Sequence, residues 1–267
     1  MRMLISLLVA GGLAFPAAAH EFWISPVNYM IDPGGQLIAD IRVGQNFKGA
    51  AYSYLPPKFV RFDLVTGNGV VPVEGRMGDR PALSMTAPSE GLVTVVHQTS
   101  DYFLTYTKAE TFVNFVTSKD FDSVLEAHAA RGLPEKGFRE RYSRYGKSLI
   151  SVGNGAGSDR EVGMETEAVA LANPYTDDVS GGFPVQFLYQ GAPRADIQVD
   201  LFDRAPGAEA VHTKLRTDAE GKVLLPVTPG HEYLADAVVM RVLEPAVDND
   251  PVWESLWASL TFMVPAN

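Results

Sequence analysis

No cysteine occurs anywhere in the 267 residues, and this one absence removes several chemistries together. There is no disulfide framework, no thiolate metal site, no thiol nucleophile and no lipid-attachment cysteine behind an export signal. Any metal must be held by nitrogen and oxygen. Long apolar runs are missing as well: Met3 to Phe15 falls well short of the roughly 20 residues a bilayer-spanning helix needs, and no later run reaches that length, so no membrane-spanning segment is expected. Positive charge is in deficit, with 22 Lys and Arg against 32 Asp and Glu. An acidic surface repels phosphate backbones, which argues against nucleic acid as a partner. Catalytic signatures are absent too. There is no G-x-S-x-G elbow, P-loop or H-E-x-x-H pair, and Gly153-Asn154-Gly155-Ala156-Gly157 sits in a polar linker rather than at a strand-to-helix phosphate turn. The expectation is therefore a protein that is not an enzyme.

What is present begins with an export signal. Arg2 supplies a positive start, Met3 to Phe15 an apolar stretch, and Ala17-Ala18-Ala19 the small side chains a signal peptidase accepts. Cleavage after Ala19 would leave His20 as the first residue of a soluble periplasmic protein, and losing Arg2 takes the formal charge from −10 to −11. The remaining length suggests roughly two domains. A hydrophobic content of 46% argues against extended disorder, while 24 Gly and 18 Pro imply many turns.

Period-two alternation dominates from His20 to about residue 117. Leu37 to Val43 and Phe59 to Val65 read as half-buried strands, Gly67-Asn68-Gly69 as the hairpin turn into Val70 to Val73, and Leu92 to His97 with Asp101 to Thr107 as another strand pair. The period then changes. Ser118 or Asp120 is placed to cap a helix whose Phe121, Val124, Leu125 and His128 share a face, with Gly132 and Pro134 as its stop. Pro134 is placed to open a second, basic helix carrying Lys136, Arg139, Arg141, Arg144 and Lys147, with Phe138, Tyr142, Tyr145 and Leu149 along one side. Such a helix either holds a carboxylate- or phosphate-bearing ligand or pairs with the chain's own acid and docks one β domain on the other. A glycine-rich linker follows, and from Met164 seven short segments, 164–171, 183–189, 196–203, 210–217, 222–227, 231–241 and 256–264, match an immunoglobulin-like strand count. The expected fold is thus mainly β: two β-sandwich (immunoglobulin/transthyretin-like) domains with a short helical insertion. The expected division is a signal peptide at 1–19, an N-terminal β domain at 20–117, the helical insertion at 118–150, the linker at 151–163 and the C-terminal sandwich at 164–267.

Several of these stretches, taken in order, resemble a known set. His20-Glu21-Phe22-Trp23-Ile24, Tyr142-Ser143-Arg144, Asn173-Pro174-Tyr175, Thr217-Asp218 through Gly221, Pro229-Gly230 and Trp253 to Phe262 resemble the NikM-like periplasmic family, largely a domain of unknown function associated with nickel or cobalt uptake. The resemblance spans essentially the whole mature chain and implies a divalent metal as cargo and a membrane metal transporter as partner, without identifying a ligand set. It also implies a histidine near the end of the penultimate long strand, where this chain carries Val239 within Ala237-Val238-Val239-Met240. Residues 217–229 separately resemble carboxypeptidase-regulatory and transthyretin-like modules, which speaks to fold alone.

His20 is the sharpest candidate for chemistry. A mature N-terminal histidine offers an α-amine and an imidazole from one residue, and a second imidazole would complete a brace suited to Cu(II) or Ni(II). His97, ending an apolar strand, is the first choice for that second ring. The alternatives are that His20 is a frayed terminus and His97 a satisfied buried ring. His128 on the apolar helix face, His212 in a polar strand and His231 after a turn read as packing, solvated and local structure. Glu21 and Glu254 are available oxygen donors in aromatic-rich strands, Glu165 and Glu167 share one strand face, and Trp23, Trp253 and Trp257 line a groove or anchor the core. The leading expectation is a periplasmic protein that binds or delivers nickel, cobalt or copper through His20 and His97. The alternatives are a metal-free structural or interaction module serving a transporter or outer-membrane receptor, and a copper-brace oxidative enzyme.

Overall fold

Alternating burial is written into the strands themselves: along Gln36–Gln45 the side chains at 37, 39 and 41 are buried while their neighbours are half-exposed. The computed structural model describes residues 20–266, so the expected signal peptide lies outside the described residues. Its first half contains β1 (Glu21–Pro26), β2 (Met30–Ile31), β3 (Gln36–Gln45), β4 (Lys48–Tyr52), β5 (Phe59–Thr66), β6 (Gly69–Pro72), β7 (Leu83–Thr86), β8 (Gly91–Thr99), β9 (Tyr102–Thr105), α1 (Ala109–Ser118), α2 (Asp122–Ala130) and β10 (Arg139–Val152). The second half holds β11 (Thr166–Ala170), β12 (Phe183–Tyr189), β13 (Ala192–Pro193), β14 (Gln198–Arg204), β15 (Val211–Arg216), β16 (Lys222–Leu225), β17 (Glu232–Val242) and β18 (Pro251–Met263). All seven strand segments expected after Met164 are found, the last beginning earlier than expected, at Pro251. The chain is mainly β, with two helices among the described residues.

Three local expectations are corrected. The basic stretch expected as a helix after Pro134 is the 14-residue strand β10. Lys, Arg, Glu and Leu suit a helix, but pairing on both edges outweighs that weak preference: β18 runs parallel along one side, and β8 and β9 run antiparallel along the other. The first helix starts earlier, within the stretch expected as β domain, and is split in two. Asp120, one of its expected caps, instead takes a left-handed φ of 61° and separates α1 from α2. Finally, β9 pairs with β10 rather than with β8. The hairpin at Gly67-Asn68-Gly69 is as expected, joining β5 to β6, with Gly69 at φ 136°.

A ten-stranded sheet forms the middle of the molecule, in the order β15-β14-β17-β18-β10-β8-β5-β6, with β2 and β9 also bonded to β10. Its central seam is the parallel pair β10 and β18, registered Ser143 on Leu256 and Tyr145 on Ala258. Two four-stranded sheets, one of β1, β3, β4 and β7 and the other of β11, β12, β13 and β16, complete the sandwiches. They cover opposite faces. Val93, Val95, Ile150 and Val152 pack with Phe22, Ile24, Leu37 and Ile41, whereas the alternate residues Leu92 and Leu149 pack with Phe183, Val185 and Phe187. The helices seal the rest of the first face: Phe112, Phe115 and Val116 of α1 meet Trp253 and Trp257 of β18, and the Phe115 and Trp257 rings stack at 5.6 Å.

The glycine-rich linker is held rather than free. Lys147, wholly buried on β10, reaches Asp159 at 2.7 Å and Glu167 at 3.0 Å. Asn173 donates to the Gly155 and Gly157 carbonyls at 2.8 and 2.9 Å. No helix among the described residues is long and apolar enough to cross a membrane.

Candidate functional site

Four of the five histidines, His97, His128, His212 and His231, divide into two groups by what their ring nitrogens meet. His128 is fixed on both sides, with Nδ1 accepting from Trp253 Nε1 at 3.0 Å and Nε2 lying 3.0 Å from the Pro134 carbonyl. His212 lies 2.9 Å from Asp200 and stacks on Phe202, and His231 lies 2.7 Å from Asp203. His97 is different. It is only 1% exposed, and among the described residues neither ring nitrogen has a hydrogen-bond partner. Such a group normally finds one, because an unmet buried donor or acceptor costs about 1–3 kcal/mol.

His97 and His20 line the same cleft, of about 220 Å³, between the β1 sheet and the central sheet. β8 turns His97 to the face shared by Val93 and Val95, and β1 brings Phe22, next to His20, onto that face. Phe59, Phe62 and Phe22 surround the His97 ring, with centroids at 4.6, 4.9 and 5.4 Å. Burial, and after it the charge of Arg144, pushes His97 down to about 3, so its ring is neutral and keeps a free lone pair. His20 is lowered for the same two reasons. The structure thus brings together the two histidines that the sequence singled out and excludes the other three.

Two imidazoles do not make a closed metal shell. Among the described residues no group of three or more His, Asp or Glu side chains is arranged to hold an ion. Glu21 does not supply the third donor: it faces away from the cleft toward Lys119 and Asp236, where burial and the Asp236 charge push its carboxyl up to about 8. Lys119 fills the centre of that acidic cluster, at 2.7 Å from Asp200 and 2.6 Å from Asp236. Glu254 is bound by Arg141 and Arg241, Glu165 by Arg241, and Glu167 by Lys147. Val239, at the place where the resemblance implies a histidine, is buried with Val96 on the face opposite His97, so that position does not reach the cleft. The three tryptophans are core anchors, each at most 5% exposed.

Arg144 is the residue that sequence reasoning missed as part of the site. Read on a helix, it was one of several basic residues that would either hold an anionic ligand or pair with the chain's own acid, with no link to the histidines. On β10 it shares the His97 face, and its guanidinium lies 4.8 Å from the Tyr142 ring, 5.8 Å from Tyr102 and 5.9 Å from Phe22. The signal available was Ser143, Gly146, Ser148 and Ser151, poor helix formers spread through the stretch.

Two solved structures are among those similar to the chain. A tetra-tandem repeat from the extending region of a large adhesion protein is 11% identical at a TM-score of 0.20, with 91% of this chain and 49% of that chain covered, so this chain spans about half of its length. The D0–D1 domain of intimin is 14% identical at a TM-score of 0.23, covering 90% of this chain and 97% of that one. At such TM-scores neither likeness bears on function. No curated protein matches the chain. The model of a domain of unknown function, DUF4198, matches residues 17–241, and with that span the chain belongs to the DUF4198 family.

Proposed function

We propose that the protein, exported and processed to begin at His20, binds a divalent transition metal in the periplasm and delivers it to a membrane transporter. One observation carries this reading: His97, whose buried ring nitrogens have no hydrogen-bond partner among the described residues, lines the same cleft as His20, while the other three histidines are engaged elsewhere. Processing at Ala19 adds the donor that the side chains lack. The freed α-amine and the His20 imidazole give two nitrogens and His97 a third, a set that favours Cu(II) or Ni(II). Nickel and cobalt are also the ions implied by the resemblance to the NikM-like family. The metal is cargo here, and the aromatic wall around His97 keeps that ring neutral and fixed in place.

Titration of protein beginning at His20 with nickel, cobalt and copper tests the reading, beside a form with one extra residue ahead of His20 and the variant His97→Gln. Blocking the amine or removing the His97 ring should each weaken binding by about tenfold or more, as outer-sphere changes already do at metal sites. Equal binding by all three forms would remove both residues from the site and leave a metal-free interaction module as the better description.

A further inference from the structure

The cleft that holds His20 and His97 is positively charged and contains no carboxylate. Its lining includes Arg144 and Lys58 but neither Asp nor Glu. Arg42, Arg61, Arg204 and Arg216 are matched with Asp40, Asp63, Glu232 and Asp196, and Arg131, Arg139, Arg160 and Arg194 donate to backbone carbonyls. Among the described residues Arg144 has no acid within ion-pair distance and its buried Nε has no hydrogen-bond partner; the polar side chain that bears on the guanidinium is the neutral Tyr142. Its neighbours are neutral rings, which hold the guanidinium in place without cancelling its charge. In a chain of net charge −10, acids are plentiful, yet none is placed here.

A bare divalent cation entering this cleft would meet like charge. An anion carried with the metal removes that conflict, and a guanidinium is suited to a carboxylate through paired N–H donors. Resting on the metal reading above, we propose that Arg144 is an anion subsite and that the cleft takes its metal as the complex of a small di- or tricarboxylate chelator. One carboxylate sits on Arg144 while the metal meets His20 and His97. The cleft, of about 220 Å³, has room for a small chelator of citrate size.

Equilibrium dialysis of protein beginning at His20 tests this with nickel alone, citrate alone and nickel with equimolar citrate, counting metal and labelled citrate separately. The wild type should retain nickel and citrate together in equal amounts. Arg144→Met should keep nickel and lose citrate affinity by at least about tenfold, the loss expected for a charged hydrogen-bonded contact. Arg144→Lys, which retains the charge without the fork, should fall between them, and matching far-ultraviolet circular dichroism would show that the variants fold. Retention of nickel with citrate excluded, or equal citrate binding by wild type and Arg144→Met, overturns the subsite while leaving the metal reading intact. Citrate held through Arg144 with no nickel retained supports the subsite and removes the metal reading. Retention of neither removes both.

Discussion

Glu140 shows how far a single residue departs from its appearance in the sequence. In the sequence it is a carboxylate between two arginines, Arg139 and Arg141. In the structure it is 3% exposed and accepts hydrogen bonds from the Tyr106 and Ser255 hydroxyls. Burial pushes its carboxyl up to about 7, against the pull of those two donors. Because the folded chain holds the proton more tightly than the unfolded chain, the resulting stability is full below the unfolded value of 4.5 and is lost as pH rises through about 7. Each tenfold difference in proton affinity is worth about 1.4 kcal/mol. Glu140→Gln should therefore flatten the fall in thermal midpoint between pH 5 and pH 8. Parallel melting curves for wild type and variant across that range would show that Glu140 does not carry this dependence. The site histidines follow a related lesson. Their identities, His20's place after a small-residue run and His97's place at the end of an apolar strand were legible; what the sequence did not show is that the His97 ring nitrogens have no partner among the described residues while the His128 ring is occupied at both ends.

At the scale of elements, β10 decides most of what the chain does. Its alternate residues serve two purposes: Tyr142 and Arg144 look into the cleft, while Tyr145, Lys147 and Leu149 face the other sandwich. The aromatic and basic residues that made it resemble an amphipathic helix are thereby divided between two faces. Lys147 is the residue on which that second face depends. It satisfies Asp159 and Glu167, which are themselves buried, and Glu167 also accepts from the Val162 and Met164 amides at 2.9 and 3.2 Å. Lys147→Met should leave two buried carboxylates without a counter-charge and cost about 3–5 kcal/mol. Chemical denaturation measures this directly, and a loss below 1 kcal/mol would mean that the pair is not desolvated as its burial implies. Restoring neutrality with Lys147→Met, Asp159→Asn and Glu167→Gln together should recover part of the loss.

Across the whole molecule, the two sandwiches share the ten-stranded sheet, and its seam joins β10 to β18 along ten residue pairs from Arg139 on Pro251 to Ser148 on Thr261. Neither sandwich can expose its inner face without stripping the other, so calorimetry should record one unfolding transition, with the calorimetric and van't Hoff enthalpies equal. Two resolved transitions would contradict the shared sheet. The sequence by itself determined the strand-rich character, the seven C-terminal segments, the β5–β6 hairpin and the short list of metal-capable residues, because alternation, turn residues and side-chain chemistry are local properties. Tertiary structure alone decided that residues 139–152 are strand, that β9 pairs with β10, that Glu254 and Glu167 are held by basic side chains, and that His20, His97 and Arg144 meet in one cleft. Each of those outcomes depends on a partner far away in the chain: the same short stretch can satisfy its backbone as a helix or as a strand, and the neighbours on either edge determine which arrangement prevails.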